Sequence, residues 1–413
     1  MARIRTRGRL VRATGFPLAT TLVLLLAAVR PALANSVFSS AGLGEPSLEE
    51  NARLRALGGA GVAEHGVRDF SLVNPASIAE CKQLILEATA LSTRRSISTP
   101  QYGSETANEM SFPSVRLVVM LPGHFVLGGS YVIGTNGEFH VTRPESSGTA
   151  SVLTIDGSGG IEFARATLAR TFRRNFRLGV DVDVIGGSYR EEWSRDFLNP
   201  SLATTRDTLE VGWDRLARWR FGAQYVRSRF ALGAMYETGR SLPLTIKQKT
   251  PGSSVVDKSK TLEYPAGFAA GLQFPLGGRA RVVSQYRRTE WAESSLESDL
   301  VDFRAEERYS FGIERTALPF GSTLDKMPIR IGGTVIRWPD LLPVPGASDV
   351  SGGVAAVEEW TVSLGTGIAT SDRGAMVDVS FEGGVRGDEE RLGAKETVFR
   401  IGISLQVGDE TWK

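Results

Sequence analysis

Between Arg218 and Glu237 the chain reads R-W-R-F-G-A-Q-Y-V, then Arg227-Ser228, then R-F-A-L-G-A-M-Y-E. In the first arm Trp219, Phe221, Ala223 and Tyr225 alternate with Arg218, Arg220, Gly222 and Gln224. In the second arm Phe230, Leu232, Ala234 and Tyr236 alternate with Arg229, Gly233 and Glu237. Side chains point to opposite faces in turn along a strand, so these are two strands, each with an apolar and a polar face. So short a connection admits only an antiparallel hairpin. A soluble sheet can carry the same pattern. Its recurrence down the chain, behind an export signal, narrows the reading.

The export signal is the N-terminus. Arg3, Arg5, Arg7, Arg9 and Arg12 form a basic leader. Phe16 to Val29 is an apolar core too short for a comfortable membrane span, and Ala32-Leu33-Ala34 is a small-residue cleavage site. Residues 1–34 are therefore expected to be a secretory signal peptide. No Cys follows the cut, which excludes a lipoprotein signal. The mature chain would hold 413 − 34 = 379 residues. The leader contains six Arg and no acid, so the formal charge falls from +2 to +2 − 6 = −4. That balance gives no reason to expect a nucleic-acid partner. Cys81 stands alone, so no internal disulfide forms. No later apolar run reaches the length of a membrane helix.

About fourteen strand candidates follow: 83–93, 115–121, 125–133, 161–172, 177–185, 209–226, 229–246, 262–274, 280–289, 309–316, 329–338, 360–369, 375–381 and 397–407. An even number suits a bacterial outer-membrane barrel. The fourth is out of phase, with Ile161 and Phe163 on the face opposite Leu168 and Phe172; either a bulge or a different strand assignment there would explain it. The connections sort into two classes. Those from even to odd strands are tight, as at Pro122-Gly123, Arg173-Arg174-Asn175 and Arg227-Ser228, except for the longer link from Thr316 to Ile329. Those from odd to even strands are long. Short periplasmic turns and long outer loops are the mark of a membrane barrel.

Closure supplies the physics. An unpaired backbone N–H or C=O in hydrocarbon costs several kcal/mol, so a sheet spans a bilayer only without edges. The expected fold is all-β: a closed antiparallel transmembrane β-barrel of about fourteen strands over residues 82–413. Residues 35–81 have no strand periodicity and are expected to plug the lumen. Tyr131, Tyr236, Tyr264, Tyr286, Tyr309, Trp291, Trp338 and Trp360 lie near strand ends, where interfacial aromatic belts form. The expected location is the bacterial outer membrane, in contact with its lipid.

Several motifs resemble one family. Gly42-Leu43-Gly44, then Ala56-Leu57-Gly58-Gly59-Ala60-Gly61-Val62-Ala63, then Asn74-Pro75-Ala76 look like the N-terminus of the FadL-like long-chain fatty-acid transporters. They also resemble the related PorV-like barrels. Tyr309 to Glu314 and Pro328 to Gly332 are similar to that superfamily's later strands. The resemblance implies fourteen strands, an internal hatch, and passive uptake of hydrophobic small molecules such as long-chain fatty acids. On the PorV-like side it implies a binding scaffold for secretion or assembly proteins. Gly58, Gly59, Gly61, Asn74, Pro75 and Ala76 match the hatch motif. Gly128 and Gly129 fall in the third strand, where the family's lateral gap lies, and glycine can mark a kink there. The chain departs from the family in continuing past its last strand, from Gly408 to Lys413.

Other chemistry finds little support. Three His and one Cys make no metal site at usual spacings, and no cofactor is expected. Gly58-Gly59-Ala60-Gly61 lacks the rest of a dinucleotide loop. Asp181 and Asp183 share a strand face but read as lumen carboxylates, and no catalytic residue stands out. Arg116, Arg220, Arg281 and Arg330 are candidate lumen cations, with nothing to single out one of them.

Overall fold

The computed structural model describes residues 36–409, apart from 41–43, 67, 69, 101–102, 146–148, 229, 254, 294–301, 319, 323, 346–352 and 370–374. The expected signal peptide, Gly42-Leu43 of the first hatch motif, Arg229, the link between the strand candidates 360–369 and 375–381, and residues 410–413 past the last strand lie outside the described residues. Alternation builds the wall. The strands are β1 (Leu84–Thr99), β2 (Gly103–Leu121), β3 (Phe125–Ile133), β4 (Ser151–Phe172), β5 (Phe176–Phe197), β6 (Leu216–Arg227) and β7 (Phe230–Glu237). They continue as β8 (Gly267–Pro275), β9 (Ala280–Thr289), β10 (Glu306–Arg315), β11 (Ile329–Pro343), β12 (Val354–Ala369), β13 (Ala375–Asp388) and β14 (Ala394–Asp409). Each pairs antiparallel with the next. β14 returns to β1, from Leu84 opposite Asp409 to Ser98 opposite Lys395. The ladder is closed, so lipid meets no sheet edge.

The hairpin of β6 and β7 shows how one strand serves two environments. Trp219, Phe221, Leu232 and Tyr236 are exposed on the outer wall. Arg218, Arg220, Gln224 and Glu237 are buried in the lumen. Above β6, β7 and β8 the chain continues as Thr205–Trp213, Arg240–Lys249 and Val256–Tyr264. These segments join Phe139–Glu145 and the upper halves of β4 and β5 in a sheet that stands above the barrel. Pro144 on one edge strand and Lys258 and Lys260 on the other discourage further strand addition.

Two expectations are corrected. β4 has no bulge: it pairs with β5 without a register shift from Ser151 to Phe172. Ile161 and Phe163 look out of phase because the lumen is apolar at that height, where they pack with Val132, Ile185, Leu242, Leu262, Tyr264, Trp291 and Phe303. For the same reason Tyr264, Trp291 and Trp338 are not belt residues. They are buried inside. Tyr131, Tyr236, Tyr309 and Trp360 do face outward, and Tyr286 lies 5.0 Å from Tyr309 between ring centroids.

Candidate functional site

Residues 36–81 enter the barrel as a hatch of short pieces, each ended by its own sequence. Asn51 caps the helix Ala52–Arg55, its side chain accepting from the Leu54 N–H. Gly58 and Gly59 stop it with φ of 66° and 79°, a left-handed pair that other residues adopt at a cost. Gly58 also touches the wall: a Cβ on Gly332 of β11 would lie 2.3 Å from the Gly58 nitrogen. Gly61 is crowded by Glu50 and Ser71. Asn74 accepts from the Ala76 N–H and donates to the Val62 carbonyl at 2.7 Å. Pro75 follows at the start of the turn Pro75–Glu80 and sits against Gly179 and Gly222 of the wall.

The lumen is layered. Phe70, Ile78, Ala79 and Cys81 of the hatch pack with Ile85, Val118, Val126 and Ala169 at the end of the short turns. The aromatic cluster around Trp291 fills the opposite end, and beside it Phe38 packs edge-on against Trp338. Between them lie three ionic clusters. In the first, Arg53 and Arg281 reach Glu64 at 3.3 and 3.0 Å, and Arg330 joins Glu314 to Asp378 at 2.7 and 2.6 Å. In the second, Arg165 holds hatch Glu49 at 2.7 Å and Asp183 at 3.1 Å. Arg218, Arg220 and Arg287 complete it with Asp181 and Glu237. In the third, Arg386 binds hatch Glu45, Glu359 at 2.6 Å and Glu396 at 3.1 Å. Arg95 and Arg400 meet the same Glu45, and Arg55 of the hatch meets Glu382 at 2.7 Å.

Backbone contacts tighten the fit. Gln285 accepts from the Gly61 and Val62 N–H groups, both at 2.9 Å. Ser404 accepts from the Ala52 N–H at 2.7 Å, and Arg220 donates to the Leu72 carbonyl at 3.0 Å. Cavities beside the hatch measure about 70, 40 and 10 Å³. That is room for a few waters, well short of the several hundred Å³ of an ordinary ligand site. In this state the lumen is an electrostatic lock.

The six lumen candidates lie inside, around the hatch. Asp181, Asp183 and Arg220 share one cluster, and Arg281 and Arg330 share another through Glu314. Arg116 lies apart, stacked on Phe70 at 5.0 Å and 4.0 Å from Glu87. Gly128 pairs with Val118 and Thr167, and Gly129 with Leu117 and Ala166, so the ladder runs on through both. A Cβ on Gly128 would lie 3.1 Å from hatch Ile78. Higher up, β2 has a register shift opposite Thr89 and Leu91, and no described residue pairs with it on the β3 side above Ser114. Hatch residues Glu45 and Pro46 pair with Asn136 and Thr135 there, and Asn136 donates to Glu109 at 2.6 Å. Pro113, which has no N–H, was the sequence signal for that break.

Sequence reasoning missed Asp340. It lies three residues past Arg337, which is exposed on the outer wall above Tyr286, Tyr309 and Trp360, with Arg288 and Glu358 half-exposed beside it. These charges mark the end of the lipid-facing band. Asp340 is buried, and neither carboxylate oxygen has a hydrogen-bond partner among the described residues. Burial, with Glu306 adding repulsion, pushes its carboxyl up to about 8.

Comparison with known proteins places this geometry. The family described as BamG matches residues 16–225. No curated protein matches the chain. Among solved structures, a Pseudomonas aeruginosa FadL homologue aligns over 90% of this chain and 100% of its own, at 15% identity and TM-score 0.61. The Pseudomonas putida toluene transporter TodX aligns over 90% and 100%, at 14% identity and TM-score 0.53. The Ralstonia pickettii toluene transporter TbuX aligns over 88% and 99%, at 14% identity and TM-score 0.54. At such identities the likeness establishes the fold. The chain has the barrel fold of the FadL homologue and the toluene transporters, a closed fourteen-stranded barrel of the outer-membrane kind.

The lock and the lone Asp340 each give a testable outcome. Arg386→Gln leaves Glu45, Glu359 and Glu396 short of a buried cation, which costs roughly 3–5 kcal/mol when one partner is removed. Trypsin is then expected to cut at Arg53 or Arg55 while the barrel keeps its folded, heat-modifiable gel mobility. An uncut hatch would refute the lock. Asp340 gives a pH signature. Between the ordinary carboxylate value of 3.8 and about 8, the folded chain keeps a proton that the unfolded chain has lost. Stability therefore falls as pH rises through that window and levels off above it. Asp340→Asn should match the parent's melting temperature near pH 4 and exceed it at pH 9. Parallel melting curves across that range would contradict this.

Proposed function

The chain belongs to the BamG family, and on that footing we propose that it is a hatch-filled outer-membrane barrel acting as a scaffold in protein assembly. The observation that carries this reading is the filled lumen. The hatch meets the wall through buried guanidinium–carboxylate pairs on three sides. The cavities beside it hold only water-sized volumes. A barrel whose interior is committed to its own N-terminal segment offers its outer wall, its turns and its loop sheet for contact. The family's designation points the same way, toward assembly.

A second reading is passive transport of a hydrophobic small molecule such as a long-chain fatty acid. Two features favour it. The fold is shared with channels described as monoaromatic hydrocarbon and toluene transporters. The outer end of the lumen also carries an aromatic cluster, Tyr264, Trp291 and Phe303, with ring centroids 5.2 and 6.3 Å apart. Transport by that route requires the hatch to shift and the wall to part, at Gly128-Gly129 or at the unpaired side of β2.

Depletion separates the two readings. Quantitative proteomics of outer membranes from a depleted strain should show loss of other β-barrel proteins, with unchanged uptake of a labelled long-chain fatty acid and of toluene. The purified barrel should be nearly silent in planar bilayers. An intact outer-membrane proteome with lost uptake would reject the scaffold and support transport.

A further inference from the structure

The turns at the short-loop end share an unusual chemistry. Lys82, Arg173, Arg174, Arg227 and Lys326 are exposed there, and Arg279 is 38% exposed. Two carboxylates at that end whose side chains are described, Glu80 and Asp325, are already engaged with Arg177 and Arg279. The mature chain as a whole is acidic by composition, so this basic rim is local. One turn is strained to present its charge. Arg173 and Arg174 adopt φ of 46° and 59°. Left-handed backbone at two adjacent positions favours Asn or Gly, and a long β-unbranched cation gains nothing there from packing. Strain of this kind persists where a side chain at that spot has a use.

The same end carries the one long connection among the short turns, Thr316 to Pro328. Its described residues are tied together by hydrogen bonds. Leu318 N–H donates to the Asp325 carbonyl at 2.7 Å, and Ser322 donates through N–H and Oγ to the Asp325 carboxylate at 3.2 and 2.8 Å. Arg315 donates to the Met327 carbonyl at 3.1 Å, and Thr316 N–H donates to the Arg279 carbonyl of the neighbouring turn at 2.9 Å. These bonds hold two large apolar side chains in the open. Phe320 and Leu324 are each 69% exposed, and Leu276 on the adjacent turn is 57% exposed. A backbone organised to display apolar side chains, inside a rim where the exposed residues described include five cations, has the make-up of an interface: an apolar anchor with polar surroundings that steer the approach.

We propose that this end of the barrel is a docking face for a soluble periplasmic protein with an acidic surface and an apolar cleft. The cleft receives Phe320 and Leu324, and the acidic surface faces Arg173, Arg174, Arg227 and Lys326. The face gives the scaffold reading its partner side and rests on that reading for its purpose alone. Contact at the rim is measurable whether or not barrel assembly depends on it.

The competing occupant is anionic lipid, with Phe320 and Leu324 dipping into the inner leaflet. Two measurements decide. First, a photo-crosslinking residue at Phe320 is activated in cells and the adduct identified by mass spectrometry. The expected adduct is an acidic periplasmic protein, reduced at least about tenfold by the triple reversal Arg173→Glu, Arg174→Glu, Arg227→Glu. Folding of each variant is checked by heat-modifiable mobility. Second, purified Phe320→Trp barrel is reconstituted in vesicles of brominated phosphatidylglycerol, where its added fluorescence should remain unquenched. Absence of an adduct, an adduct unchanged by charge reversal, or quenching by the brominated lipid would each overturn the proposal.

Discussion

Pairing between buried guanidinium and carboxylate groups is the interaction on which the rest of this structure depends. A strand in a closed barrel must turn every second side chain inward. Here those inward residues include Arg165, Arg218, Arg220, Arg330 and Arg386, all buried. A buried guanidinium without a partner is costly, and desolvation takes back most of what a pair gains. The hatch supplies Glu45, Glu49 and Glu64 where the wall has its cations, and it supplies Arg53 and Arg55 where the wall has Glu314 and Glu382. The pairs thereby select one placement of a segment that has almost no regular structure of its own.

Aromatic rings extend the lock toward the outer end. Arg218 lies over Phe163 and Tyr264 at 4.8 and 4.9 Å, and Arg386 lies over Trp338 at 4.3 Å. The guanidinium layer thus continues into the apolar clusters through its π-faces. Asp340 stands near that boundary with no hydrogen-bond partner for its carboxylate among the described residues. It is a local exception to charge compensation, and such exceptions concentrate at sites that respond to conditions.

The strands were legible in the sequence because lipid enforces alternation. Trp219, Phe221, Leu232 and Tyr236 could face only outward once closure was granted. What the sequence hid was the interior. Ile161 and Phe163 looked like a phase error because apolar side chains were assumed to face lipid. Tyr264, Trp291 and Trp338 looked like belt residues because position near a strand end does not reveal which face a side chain takes. Arg116, Arg220, Arg281, Arg330, Asp181 and Asp183 were readable as lumen residues from strand phase. Their partners were not readable, since Glu49 and Arg165 are far apart in the chain and meet only through the fold.

The most direct measurement is amide hydrogen exchange of the hatch in the detergent-solubilised barrel. Peptides covering residues 51–66 and 70–80 should exchange as slowly as those from β9 and β11, because the Gly61, Val62, Ala52 and Ala76 N–H groups are bonded inside the lumen. Exchange of those peptides within seconds, with the strands still protected, would contradict a hatch held in place by its ion pairs.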